Sequence, residues 1–298
     1  MSTVLKSHIS AQPANAARKK FTTLDFARAK ERGEPIVMVT AYDFTAAKLA
    51  ELAGVETILV GDSLAMVCLG HANTLPVTMA EMLHHARAVA RGARRPFLIG
   101  DLPFLSYHGS VDEAVLNAGL FLKEAGMDGV KLEGGSERLP AVRGIVQAGI
   151  PVMGHLGLTP QKVHQLGGFR PQARDAAAAR RLLDDALALE QAGCFALVLE
   201  SVPVEVAQRV TERLRIPTIG IGAGSHCDGQ VLVWHDLLGL DEDFQPPFAK
   251  AYRQLARSVV DGLAEYRQEV KQRIFPGPEQ SRHMSEPELS DFLDSTSC

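Results

Sequence analysis

Five times along the chain a helix-like segment ends in glycine and a short apolar run follows almost at once. The pairs are ELAG then VETILVGDS, ARG then ARRPFLIGD, KEAG then MDGVKLEGG, VQAG then IPVMGHL, and EQAG then CFALVLES, with the glycines at Gly54, Gly92, Gly126, Gly149 and Gly193. Glycine just past a helix end adopts the left-handed conformation without a Cβ penalty, so each is expected to stop a helix and release the chain into a strand. The apolar runs are continuous and not alternating, the pattern of parallel strands covered on both faces or lining a packed barrel. Eight strands are predicted: Ile36 to Val39, Thr57 to Val60, Phe97 to Gly100, Gly129 to Leu132, Pro151 to Gly154, Ala196 to Leu199, Thr218 to Gly222 and Val231 to Trp234. Amphipathic stretches such as Met79 to Arg91, Val111 to Ala125, Asp175 to Ala192 and Val204 to Leu214 separate most of them. Alternating β and α predicts an α/β protein, and eight strands predict a (β/α)8 TIM barrel, with a doubly wound open sheet as the rival. The step from the seventh run to the eighth is too short for a full helix. A long helical pattern from Phe248 to Arg273 closes the domain, Pro276-Gly277-Pro278 breaks it, and a polar tail follows. The expected organisation is an arm over 1–24, a barrel over 25–275 and a tail over 276–298.

A barrel carries its active site at the C-terminal ends of its strands, so the residue that ends each run is the one to weigh. Counted from the five glycines, a polar residue arrives after 8, 9, 7, 6 and 7 positions: Asp62, Asp101, Glu133, His155 and Glu200. Taken singly, each has a structural explanation as a helix cap or a solvated loop residue. Five in equivalent places, all directed at one mouth, point to metal binding or proton transfer. Lys131 lies two positions before Glu133, so both side chains share a strand face. Either it fills a layer as an internal ion pair, or it stays charged among carboxylates and meets an anionic substrate or oxyanion. Asp62 and Asp101 are hard oxygen donors with no Cys or His cluster beside them, which suits Mg2+ better than zinc. A 2-oxo acid could fill two positions on such an ion. The glycines of GIGAG, Gly220 to Gly224, have the look of a phosphate-cradling turn, or of a place for close packing near Asp228-Gly229-Gln230.

Composition narrows the classes. Of 298 residues, 46% are hydrophobic and 22% charged, which excludes a disordered or low-complexity chain. Thirty-one Lys and Arg against 35 Asp and Glu leave a net charge of −4, too mild and of the wrong sign to hold nucleic acid or an anionic membrane. The four cysteines, Cys68, Cys194, Cys227 and Cys298, form no CxxC pair or zinc spacing, as expected of a reducing, cytoplasmic setting. The uncharged stretch Ser63 to Ala80 contains Gly70, His71, Asn73 and Pro76 and is not a membrane span. Residues 1–24 carry Lys6, Arg18, Lys19 and Lys20 without an acidic residue or a secretory apolar run.

Nine strings in order, TAYD (Thr40 to Asp43), VGDSLAMV (Val60 to Val67), GHANTLPVT (Gly70 to Thr78), DLPF (Asp101 to Phe104), VKLEGG (Val130 to Gly135), GHLGLTPQ (Gly154 to Gln161), LVLESVP (Leu197 to Pro203), IGIGAG (Ile219 to Gly224) and DGQ (Asp228 to Gln230), resemble the 3-methyl-2-oxobutanoate (ketopantoate) hydroxymethyltransferase family. The resemblance runs from about Lys20 to Pro278. It implies a barrel of the phosphoenolpyruvate/pyruvate type, bound Mg2+, and transfer of a hydroxymethyl unit from 5,10-methylenetetrahydrofolate to 3-methyl-2-oxobutanoate, giving 2-dehydropantoate in pantothenate biosynthesis. Carried over residue by residue, it makes Asp62 and Asp101 metal ligands that also contact substrate, with Glu133 at or near the metal. Ser63 and Lys131 become substrate-binding residues, His155 lies beside the substrate, and Glu200 is the proton acceptor. A homo-oligomer, often a decamer, is implied as well. The tail departs from the family pattern at Glu279-Gln280-Ser281-Arg282-His283. Two other functions remain open: a 2-oxo-acid lyase or mutase of the same superfamily, and a barrel that binds a keto acid without turnover. Lyases and mutases usually carry a cysteine loop, and none lies in Gly134 to Gly149.

Overall fold

The computed structural model describes residues 19–242 and 245–296, so residues 1–18 of the expected arm lie outside the described residues. Eight parallel strands close on themselves in chain order: β1 Ile36–Thr40, β2 Thr57–Val60, β3 Phe97–Asp101, β4 Gly129–Glu133, β5 Val152–Gly157, β6 Ala196–Glu200, β7 Thr218–Ile221 and β8 Gly229–Leu232. The fold is a (β/α)8 barrel, not an open sheet, since β1 pairs with both β2 and β8. Local chemistry fixes several crossover helices. Thr78 and Glu81 cap each other reciprocally at the start of the helix Met79–Gly92. Asp43 accepts from Ala46 N–H at 2.8 Å ahead of Phe44–Leu52, and Asp175 accepts from Ala177 and Ala178 ahead of Ala176–Gln191.

The pleat sorts side chains into two apolar bodies. Alternate strand residues, Ile36, Met38, Leu59, Phe97, Ile99, Met153, Ala196, Val198, Ile219 and Val231, form one buried cluster that fills the barrel interior. Phe26, from the helix Thr23–Arg32, joins it edge-on to Phe97 and Phe195 at 5.5 and 5.0 Å and closes the end where the strands begin. The intervening residues, among them Val60, Leu98, Val130, Leu132 and Leu197, pack outward in the second cluster against the helices. Above the interior cluster, the same inward positions turn polar.

Four of the five expected glycine stops have positive φ, at Gly54, Gly126, Gly149 and Gly193. Gly92 is a correction, because it is the last residue of its helix and Ala93 leaves in extended conformation. Its missing side chain serves packing instead, since a Cβ there would stand 2.3 Å from the carbonyl oxygen of Phe44. The eighth strand begins two residues earlier than predicted. Trp234 starts a helix, its N–H donating to Thr40 Oγ1 at 2.9 Å. No helix joins β7 to β8, as the short step required.

Packing divides the chain into two compact units: the barrel, through Leu237 with Pro246–Lys250, and a second unit of Leu238–Gln245 with the residues from Ala251 onward. In the second, the long helical pattern is realised over Leu255–Lys271, and Tyr266 meets Phe275 edge-on at 5.5 Å. The segment expected to be a polar tail contains a further helix, Glu286–Thr296. Among the described residues no helix is long and apolar enough to cross a membrane.

Candidate active site

Six of the seven singled-out residues form one connected buried group at the strand ends. Asp101, closing β3, is paired in register with Lys131 of β4, and Lys131 Nζ stands 2.9 Å from Asp101 Oδ1. Glu133 is paired with His155 across β4 and β5; His155 Nδ1 lies 3.4 Å from Glu133 Oε1 and 3.2 Å from Lys131 Nζ. On its other side His155 faces Glu200, with Nε2 3.2 Å from Oε2. Asp62, two residues past β2, donates its backbone N–H to Asp101 Oδ2 at 3.1 Å. Ser63 is the seventh; its Oγ is 2.8 Å from the hydroxyl of Tyr42, which joins it to the loop after β1 and not directly to the carboxylates.

Two buried residues outside the predicted set hold this group in place. Gln161, at the end of the quoted GHLGLTPQ string, reaches both Asp62 and Glu133, and Tyr107 contacts Gln161 and the backbone of Glu133. The string offered a signal for Gln161; Tyr107 lies in the loop after β3 with no local pattern to mark it. The GIGAG glycines do not form an empty cradle. Cβ atoms at Gly222 and Gly224 would meet Phe248 and Val204, so their role is close packing.

The charges are set by a dry floor and crowded neighbours. Burial pushes the Asp62 carboxyl well above its ordinary range, and the negative charges of Asp101 and Glu133 push it further, against Lys131 and the Gln161 amide. Burial also raises Asp101, although Lys131 opposes it. Glu133 moves the other way: burial works to raise it, but His155, Lys131 and the Gln161 N–H outweigh burial and hold it ionised. Lys131 is likewise penalised by burial, and Asp101, Glu133 and Asp62 more than compensate, so it stays protonated. Burial and the Lys131 charge push His155 down, yet Glu133 and Glu200 on either side prevail and carry it up to about 9. Glu200 is the carboxylate most open to solvent, with 15% of its side chain exposed against 1% for Glu133.

The His155 shift has a measurable sign. Its folded value lies above the unfolded 6.5, so its contribution to stability is complete below pH 6.5 and is lost as pH rises toward about 9. In chelator, urea denaturation should show a loss on the order of 3 kcal/mol across that window, and His155→Gln should flatten it. An unchanged pH slope in the variant would show that His155 is not charged in the folded chain.

A cleft of about 270 Å3 is lined by Gly134, Gly157, Thr159, Lys162, Arg181 and Asp185, and none of the seven singled-out residues lines it.

The ketopantoate hydroxymethyltransferase family model matches residues 20–278. A 3-methyl-2-oxobutanoate hydroxymethyltransferase of Chloroflexus aggregans is 56% identical over 272 residues, spanning 91% of this chain and 97% of that protein. One from Moorella thermoacetica is 57% identical over 266 residues, 89% of this chain and 99% of its own. Among solved structures, 2,3-dimethylmalate lyase, a PEP mutase/isocitrate lyase superfamily member, aligns with TM-score 0.55 at 17% identity over 93% of this chain and 98% of that one. Phosphonopyruvate hydrolase in complex with oxalate and Mg2+ aligns with TM-score 0.56 at 14% identity over 92% and 95%. At such identities the lyase and hydrolase share only the barrel, whereas the relatives above half identity match about nine-tenths of this chain and nearly all of their own length. On that agreement, from before β1 to beyond β8, the chain belongs to the ketopantoate hydroxymethyltransferase family.

Proposed function

We propose that the chain transfers a one-carbon unit from 5,10-methylenetetrahydrofolate to 3-methyl-2-oxobutanoate, with water supplying the hydroxyl oxygen, to give 2-dehydropantoate and tetrahydrofolate. The observation that carries the reading is the single file Asp62, Asp101, Lys131, Glu133, His155 and Glu200, in which two cations sit among four carboxylates at the C-terminal ends of the strands and all but the partly exposed Glu200 are buried. A small anionic acid with an exchangeable C3 proton needs these groups: a cation for its carboxylate, and a base within reach of carbon.

The donor set suits Mg2+. Among the described residues no three His, Cys, Asp or Glu side chains stand at metal-ligand spacing, but Mg2+ is commonly held by one or two carboxylates, with water and ligand oxygens completing the shell. Asp62 and Asp101 would supply those two, with Glu133 near them. The buried Oε1 of Glu133 accepts no hydrogen bond, and the upward push on Asp62 and Asp101 marks negative charge that the protein itself leaves partly uncompensated. When bound, Mg2+ would act as a Lewis acid toward the keto acid. The phosphonopyruvate hydrolase complex carries Mg2+ with oxalate, a small dicarboxylate, in the same fold.

The remaining chemistry belongs to the chain. Lys131 and Ser63 bind and orient the keto acid, Lys131 by its charge. Glu200 takes the proton from C3, and His155, held between Glu133 and Glu200, keeps the Glu200 carboxylate aimed. Water opens the methylene bridge of the folate, both C–N bonds breaking to release tetrahydrofolate and a formaldehyde unit, and the carbanion carbon adds to that formaldehyde carbon, whose oxygen takes up a proton to become the hydroxyl. Asp62 and Asp101 also contact the substrate. The proposal further takes the protein to work in the cytoplasm as a homo-oligomer, a decamer by the family resemblance, with large apolar side chains left exposed at Leu49, Leu52 and Leu116 in support of association.

Turnover of 3-methyl-2-oxobutanoate with methylenetetrahydrofolate, with and without chelator, tests the reading. Folate-dependent product that disappears in EDTA and returns with Mg2+ is expected. Cleavage or rearrangement of the keto acid without folate would favour the lyase or mutase alternative, and binding without turnover a sensor.

A further inference from the structure

Gln161 is 3% exposed and lies in the single turn Pro160–Lys162 that follows β5. Every polar atom of its side chain is engaged. Nε2 donates to Asp62 Oδ2 and to the carbonyl of Leu102, both at 2.9 Å, and Oε1 accepts from the Tyr107 hydroxyl at 2.6 Å. Its backbone N–H donates to Glu133 Oε2 at 3.0 Å. The partners dictate which way the amide points. A carboxylate and a carbonyl can only accept, so a flipped amide would set oxygen against oxygen twice. Tyr107 is fixed in turn. Its hydroxyl accepts from Glu133 N–H at 3.2 Å, and its one hydrogen goes to the short contact with Gln161.

The consequence lies in the oxygens left over. Asp62 Oδ1 accepts no hydrogen bond among the described residues and Glu133 Oε1 faces His155 Nδ1 at 3.4 Å and Lys131 Nζ at 3.9 Å, whereas Oδ2 and Oε2 are both claimed by Gln161. We infer that Gln161 is a positioning residue for the reaction: through its side chain it selects the oxygen of Asp62 that stays available to the substrate and its cation, and through its N–H it keeps the other oxygen of Glu133 turned to His155 and Lys131. A nonpolar residue of similar bulk would keep the loop filled and the backbone N–H on Glu133 Oε2, and would free only the Asp62 carboxylate to rotate. This rests on the keto-acid reading of the site.

The test is calorimetric binding of 3-methyl-2-oxobutanoate in Mg2+ buffer to the full chain, to Gln161→Leu, to Asp62→Ala and to the double variant. Gln161→Leu should weaken binding about 10- to 100-fold in the native background, the worth of hydrogen bonds to charged groups. In the Asp62→Ala background the same change should cost under about 3-fold, since neighbours that act through each other are not additive. A role confined to loop stability predicts equal losses in both backgrounds, and that result, or native affinity in Gln161→Leu, would overturn the inference. If Gln161→Leu does not fold, Tyr107→Phe takes its place in the same cycle. It removes only the hydroxyl that fixes Oε1 and should show a smaller loss with the same dependence on Asp62. Failure of the unaltered chain to bind the keto acid would instead bring down the functional reading, and this inference with it.

Discussion

Glu200→Gln should slow exchange of the C3 proton of 3-methyl-2-oxobutanoate in D2O, without folate, by about 10²- to 10⁴-fold, with keto-acid affinity almost unchanged. Of the carboxylates in the file, Glu200 alone combines side-chain access to solvent with a single charged neighbour, His155 Nε2 at 3.2 Å. Asp101 and Glu133 are each tied by two or more partners and Asp62 by the Gln161 amide, so none can swing to a carbon atom without breaking a contact. Glutamine keeps the shape and can still face His155, but it cannot take a proton. The backbone around the position is independently secured: the Glu200 carbonyl accepts from Leu158 N–H at 2.8 Å, and Ser201 N–H donates to Ile221 O at 2.8 Å. Loss of exchange in a folded variant therefore reports chemistry and not collapse. Exchange at the native rate would remove Glu200 from the role of base.

Lys131→Met should be the most damaging change to stability among the polar residues of the mouth, about 3–5 kcal/mol at pH 7, the usual penalty for removing one partner of a buried ion pair. Lys131 is buried with Asp101 Oδ1 at 2.9 Å and Glu133 Oε1 at 3.9 Å, so its loss strands two carboxylates in a medium that solvates them poorly. Methionine fills much of the same volume, which keeps a cavity from confusing the result. The cost has a pH signature. Without the cation, folded Asp101 and Glu133 hold their protons to higher pH than they do unfolded, so the penalty should shrink as pH falls and the carboxyls become neutral. Urea denaturation of the metal-free variant at pH 5 and pH 7 measures this, and a pH-independent loss would show that packing and not charge is what Lys131 contributes. Keto-acid affinity should fall with it, by about 100-fold, because the substrate carboxylate loses its counter-ion.

The strand-end residues were legible because the β period and the helix stop are both local. A glycine followed by a short apolar run brings Asp62, Asp101, Glu133, His155 and Glu200 to the strand ends within six to nine positions, and the two-residue period alone puts Lys131 beneath Glu133. Contacts across the chain were not legible. Gln161 meets Asp62 from 99 residues away and Tyr107 from 54, and although the GHLGLTPQ string marks Gln161, nothing in it names those partners. Gly92 looks like a helix stop by its place in the sequence, although its reason lies in Phe44, a neighbour in space. The helix Glu286–Thr296 went unread because Leu289, Phe292 and Leu293 are few among polar residues, enough for one narrow stripe and no more.

The aromatic plug of Phe26, Phe97 and Phe195 shuts the barrel at the end where its strands begin. With the interior apolar cluster packed above it, the polar file is walled off from that side.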